Sequence, residues 1–157
     1  MQPVELTSDS ALLVVDIQER LVSAIAEDQR DPLLKYARAL IRLADEVDAT
    51  LVYTEQYPEG LGATESDLLD ELETADAESF QKTHFSACAA PGAGEWLDDL
   101  PRRVAVCGVE AHVCVWATVR SLLQSGHEVL VPFDAVASRT ADHQSNGLSL
   151  IENAGGR

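Results

Sequence analysis

Lysine is nearly absent from this chain: Lys35 and Lys82 are its two examples, and every other basic residue is an arginine. Basic residues number 11 against 27 acidic ones, a formal charge of −16. A surface of that sign repels nucleic-acid phosphates and anionic membrane, which argues against both as partners. Long apolar runs are missing too. None approaches the roughly 18–20 residues that span a bilayer. The start, Met-Gln-Pro-Val-Glu-Leu-Thr-Ser, has neither the basic nor the apolar segment of a secretory signal. A cytoplasmic location is the default expectation. Cysteine is scarce, and Cys88, Cys107 and Cys114 make an odd set whose spacing fits neither a C-x-x-C pair nor a metal finger. In a reducing compartment each reads as packing or as chemistry.

What is present suffices for one domain. The 157 residues, 46% of them hydrophobic, can bury a real core. The acidic residues are dispersed along the chain. A dispersed, lysine-poor acidic surface points to a high-salt cytoplasm, where counterions screen self-repulsion. The plainer reading is an acidic bacterial protein.

Four continuous apolar runs read as strands buried on both faces, hence as a parallel sheet: Ala11–Val15, Thr50–Thr54, Arg103–Val109 and Glu128–Val131. Residues Glu78 to Lys82 add a weaker one. Helical patterns lie between them. From Pro32 to Val47, apolar residues recur at three and four, with Pro32 placed in the first turn and Asp31 as its cap. A second helix is expected from Val113 to Gln124, stopped near Gly126, and a third after Thr140 to about Asn153. Gln56 to Thr64 reads as a loop. Strands alternating with helices predict an α/β fold: a Rossmann-like, three-layer α/β/α domain around a mostly parallel sheet.

In such sheets ligands bind beyond the carboxyl ends of the strands. That rule selects Asp16 with Gln18, Glu55 with Gln56, Lys82 with His84, Glu110 to Cys114, and Asp134. A carboxylate, an ammonium and a thiol therefore share one rim. Cys114 is expected in the first turn of a helix, where unpaired N–H groups lower a thiol pKa below about 8.5 and can hold an oxyanion. A buried, inert cysteine is the bland alternative, and for Cys107 and Cys88 it is the preferred one. Asp16 reads as a proton acceptor, or as a strand-end cap. Lys82 reads as the charge that favours thiolate, or as a surface lysine. Gln18, Glu55, Gln56 and His112 are candidate substrate contacts, His112 equally a plain loop histidine.

The blocks Leu13-Val-Val-Asp-Ile-Gln-Glu-Arg-Leu21, Glu55-Gln-Tyr-Pro-Glu-Gly-Leu-Gly-Ala-Thr64, Lys82-Thr-His-Phe-Ser86, Val106-Cys-Gly-Val-Glu-Ala-His-Val-Cys-Val115 and Gly126 to Arg139 together resemble the isochorismatase-like cysteine hydrolases, in particular their isochorismatase-domain subgroup. The resemblance implies an Asp-Lys-Cys triad, which falls on Asp16, Lys82 and Cys114. It also implies a cis peptide between Val109 and Glu110 that directs N–H groups of Glu110 and Cys114 at an oxyanion, and it favours a homo-oligomer. Nicotinamidase-type members carry metal-binding histidines after the second strand. Glu55-Gln-Tyr-Pro58 has none, so no metal and no other cofactor is expected. Members of the family usually continue with a further strand and helix, so the last βα unit is expected to be missing here. The expected function is hydrolysis of a small amide-like substrate through a thioester. A catalytically idle scaffold that binds a metabolite or partner is the alternative. A thiol redox sensor ranks last, because Cys107 should be buried in the sheet.

Overall fold

The computed structural model describes residues 5–157. In chain order the elements are β1 (Ser10–Val15), α1 (Glu19–Ser23), α2 (Glu27–Glu46), β2 (Thr50–Gln56), α3 (Pro58–Leu61), α4 (Ser66–Thr74) and β3 (Glu78–Lys82). They continue with α5 (Ala93–Asp99), β4 (Arg103–Val109), a π turn over Ala111–Val115, α6 (Trp116–Gln124), β5 (Glu128–Leu130), β6 (Val136–Ala137) and α7 (Ala141–Asn153). The strand order is β3-β2-β1-β4-β5, with β6 also paired to β4, and every pairing between these strands is parallel.

The continuous apolar runs are explained by cover on both faces. Ala11, Leu13 and Val15 of β1, with Val104 and Val106 of β4, pack against α5, α6 and α7. Their neighbours Leu12, Val14, Ala105 and Cys107 pack on the opposite side against Leu33, Ala37 and Ile41 of α2 and Leu68 and Leu72 of α4. Alternate residues of one strand thus serve two cores, and the result is the expected three-layer α/β/α fold.

Three expectations need correction. α2 begins at Glu27, so Pro32 lies inside it and Asp31 is no cap. Glu27 and Asp28 favour the helix start by their charge, and the missing proline N–H leaves only the Asp28 carbonyl unserved, within the first two turns. The segment after Gln56 is not all loop, because Pro58 opens the short α3. Cys114 sits in the π turn ahead of α6 and not in the first turn of a regular helix.

At the edge of the sheet the main chain of Arg157 lies against β5. Its N–H donates to the Val129 carbonyl at 3.1 Å, and its carbonyl accepts from the Val131 N–H at 2.7 Å. Among the described residues, no helix is long and apolar enough to cross a membrane.

Candidate active site

Asp16 is the residue at which β1 leaves the sheet. Its φ of +51° turns the chain sharply, and its side chain is wholly buried. Both carboxylate oxygens are engaged. Oδ1 accepts from the Thr54 hydroxyl at 2.7 Å, and Oδ2 accepts from Lys82 Nζ at 2.6 Å. The parallel register sets these partners, since Val15 stands opposite Thr54 and Gln56 opposite Lys82. Thr54, which sequence reasoning missed, is the residue next to Asp16 across that register; its place at the end of an apolar run was the available signal.

Lys82 is 2% exposed. Besides Asp16, its ammonium donates to Gln56 Oε1 at 2.8 Å and faces the carbonyls of His84 and Phe85 at 3.2 Å each. A buried charge needs such pairing, because desolvating it alone costs several kcal/mol.

Cys114 arrives from β4 through Gly108 and the cis peptide Val109–Glu110. At Gly108 the φ is +134°, and a Cβ would stand 2.0 Å from the Val15 carbonyl oxygen. Only glycine lets β4 come this close to β1 just before Asp16. In the turn that follows, the Glu110 carbonyl accepts from the N–H groups of both Val113 and Val115.

Burial raises the Cys114 thiol first, the Asp16 carboxylate adds to this, and Lys82 opposes it; the net effect is a pKa of about 12. The expectation of a lowered pKa is therefore corrected. Enclosure and a neighbouring anion outweigh the turn's N–H groups. The resting group is a thiol beside a carboxylate. Cys107 is pushed to about 12 by burial alone, as suits an inert core residue.

The other candidate contacts divide. Gln18 is fully buried and spent on bracing: Nε2 donates to the carbonyls of Gln56 and Gly62 at 3.0 and 2.7 Å, and Oε1 accepts from the Gln56 N–H at 2.7 Å. Glu55 likewise accepts from the Thr64 N–H and hydroxyl at 2.8 and 2.9 Å. Both hold the 56–64 segment in place, with no atom of Gln18 left for a substrate. Gln56 touches Lys82. His112, half-buried, stacks on His143 with ring centroids 4.4 Å apart, while its Nδ1 lies 3.0 Å from Ser138 Oγ. Burial pulls its pKa below the usual value, Glu110 opposes this, and His143 and Arg139 reinforce it. Asp134 lies in a short 3-10 turn after β5 and is not brought into this cluster. Among the described residues, no three His, Cys, Asp or Glu side chains are grouped so as to hold a metal ion.

A parallel α/β sheet that carries a buried carboxylate, ammonium and thiol beyond its strand ends has the build of a Rossmann-like enzyme domain. Residues 10–157 match the Isochorismatase domain, and the chain belongs to that hydrolase family. It is similar to the secreted isochorismatase effector Isc1 of Phytophthora sojae, with 34% identity over 93% of this chain and 70% of that protein. Human isochorismatase domain-containing protein 2 is 32% identical over 96% of this chain and 70% of its own length. Among solved structures, the MAR1 ribonuclease of Caenorhabditis elegans superposes with a TM-score of 0.85 at 33% identity, covering 98% of this chain and 78% of that one.

Proposed function

We propose that this chain, acting as one domain, hydrolyses a small carboxamide-like substrate through a thioester on Cys114. The observation that carries the reading is a protonated thiol held against the buried Asp16–Lys82 ion pair. As sulfur attacks the carbonyl carbon, the thiol proton passes to Asp16 and the carbonyl oxygen becomes an oxyanion. The N–H groups of Cys114 and Glu110 receive it. Asp16 then returns the proton to the leaving amine as the C–N bond breaks. Water hydrolyses the thioester, with Asp16 again taking a proton. Lys82 balances the charge throughout, and Gln56 steadies Lys82. His112, half-buried two residues before Cys114, is the side chain whose ring edge would meet the substrate. A free, reduced thiol also fits a reducing compartment such as the cytoplasm.

The test is turnover of a panel of small primary amides by the native chain and by Cys114→Ala. Ammonia release by the native protein and its loss in the variant, with the fold retained, is the expected result. Amide binding without release in either protein would favour the idle scaffold instead. The name of the C. elegans relative raises RNA cleavage as a rival, yet a formal charge of −16 works against holding a phosphate backbone. A labelled RNA oligonucleotide in the same assay separates the two.

A further inference from the structure

The stretch from Glu110 to His112, between β4 and the thiol, is gripped from outside by one segment, residues 139–147. Four residues make the grip, three within the segment and Ser138 beside it. The Glu110 carboxylate accepts from the Arg139 N–H at 3.0 Å and from Arg139 Nε at 3.1 Å. Ser138, just before the segment, meets His112 Nδ1 at 3.0 Å. His143 stacks on His112. Most telling is Gly147, near the middle of α7. A Cβ there would lie 2.5 Å from the Ala111 carbonyl carbon, 2.6 Å from the His112 nitrogen and 2.7 Å from the Ala111 oxygen. Its φ is an ordinary helical one, so the glycine is required by space alone. All three atoms it faces are backbone, which cannot swing aside as a side chain can. The contact has no counterpart in helix logic, because glycine inside a helix costs about 1 kcal/mol relative to alanine.

Resting on the proposed Cys114 chemistry, we infer that Gly147 is a positioning residue: it seats α7 directly on the Ala111–His112 peptide and thereby sets where the N–H groups of the π turn point. Arg139 completes the same clamp at Glu110. Neither residue touches the reacting atoms. They act through the turn that carries the oxyanion N–H groups and leave the Asp16–Lys82 pair alone, because that pair is held from β1, β2 and β3 on the other side.

Two reagents distinguish these halves of the site. Methyl methanethiolsulfonate reacts at Cys114 by displacement at sulfur: a new S–S bond forms as the reagent's S–S bond breaks, methanesulfinate leaves to solvent, the thiol proton passes to Asp16 and then to water, and no carbonyl-derived oxyanion arises. Acetaldehyde adds the thiol across its C=O: sulfur bonds to carbon, the oxygen carries negative charge as the bond forms and then takes the thiol proton, and in the hemithioacetal that oxygen occupies the place the turn's N–H groups would serve. Its affinity is read as protection of Cys114 from the first reagent, by peptide mass spectrometry. In Gly147→Ala the disulfide-forming rate should stay within about two-fold of native while aldehyde affinity falls ten-fold or more. Arg139→Gln, at an exposed side chain and so safe for folding, should show the same split in weaker form, with Arg139→Lys partly restoring it. Equal aldehyde affinity in native, Gly147→Ala and Arg139→Gln chains would overturn the inference alone, as would parallel loss of both reactions. A native Cys114 inert to both reagents would instead remove the proposed chemistry on which it rests. If Gly147→Ala fails to fold, the Arg139 pair decides.

Discussion

Lys82 Nζ and Asp16 Oδ2 stand 2.6 Å apart, and neither side chain is exposed to solvent at all. An ion pair so enclosed is held by mutual need. Removing one charge strands the other in a medium that cannot solvate it. Lys82→Met should therefore lower unfolding free energy by about 3–5 kcal/mol, as for other broken buried pairs. The double variant Asp16→Asn/Lys82→Met should recover part of that loss. Urea unfolding of the native chain, the Asp16→Asn and Lys82→Met single variants and the double variant checks this, and strict additivity of the two single effects would contradict it.

Asp16 raises the Cys114 thiol, second only to burial, while Lys82 lowers it. In Asp16→Asn the repulsion disappears and the lysine remains. Cys114 should then titrate below its native value of about 12 and react faster with a neutral thiol reagent near pH 8, even as amide turnover is lost. A slower reaction in the variant would show that Asp16 serves the thiol as a base in that assay too.

Gly108→Ala should be the most disruptive single methyl in the chain. The substitution forces an alanine to φ +134° and drives its Cβ to 2.0 Å from Val15 O, so β4 and β1 must part where Asp16 leaves the sheet. The backbone conformation alone costs about 1–3 kcal/mol, and parting the strands adds to it. Thermal unfolding of the variant at neutral pH measures the sum. Gly126→Ala, whose glycine has positive φ but open space around it, supplies the strain-only comparison.

Acid should loosen the clamp around the π turn in two stages. His112 has a depressed pKa, so the stability it lends is present above its ordinary value of 6.5 and is lost as pH falls through the folded value. Glu110 follows lower down. Burial works to raise it, but hydrogen bonds and charge from Arg139 outweigh that and hold it below 4.5, so its contribution is lost as pH falls below 4.5 through the folded value. Arg139→Gln should erase much of the second stage and shrink the first only a little, since burial is the chief cause of the His112 shift. Urea midpoints of native and variant chains from neutral pH to well below 4.5 give the difference directly. The magnitude at Glu110 should be below about 1 kcal/mol, because Arg139 is largely exposed.

The legible parts of this chain are those where one residue type answers to one local demand. Continuous β-branched runs marked β1, β2 and β4, and the three-layer sheet follows from them. Thr140 caps α7 by accepting from the His143 N–H, and Gly126, at φ +89°, follows α6 as expected. The resemblance placed the cis peptide at Val109–Glu110, where it is found. What was illegible belongs to tertiary placement. The helices α1, α3 and α5 are too short for an apolar period to repeat, and α4 buries only one such turn, Leu68 to Leu72. Thr54 meets Asp16 only through strand register, and Gly147 gains its meaning only once α7 lies on the turn. The direction of the Cys114 shift was misread for a related reason: position at a turn can be read from sequence, whereas enclosure beside Asp16 cannot.

The enclosed ion pair also shapes how such a site can decay. Asp16 and Lys82 tie β1 to β3 across β2, so a chain that lost the proposed reaction would give up stability by shedding either charge singly. The thiol bears no comparable weight. Descent into a silent, ligand-holding relative would thus begin at position 114, leaving aspartate and lysine behind as a fossil of the reaction. On the proposed chemistry, the aspartate and lysine in a kindred sequence would report on architecture, and the cysteine on use.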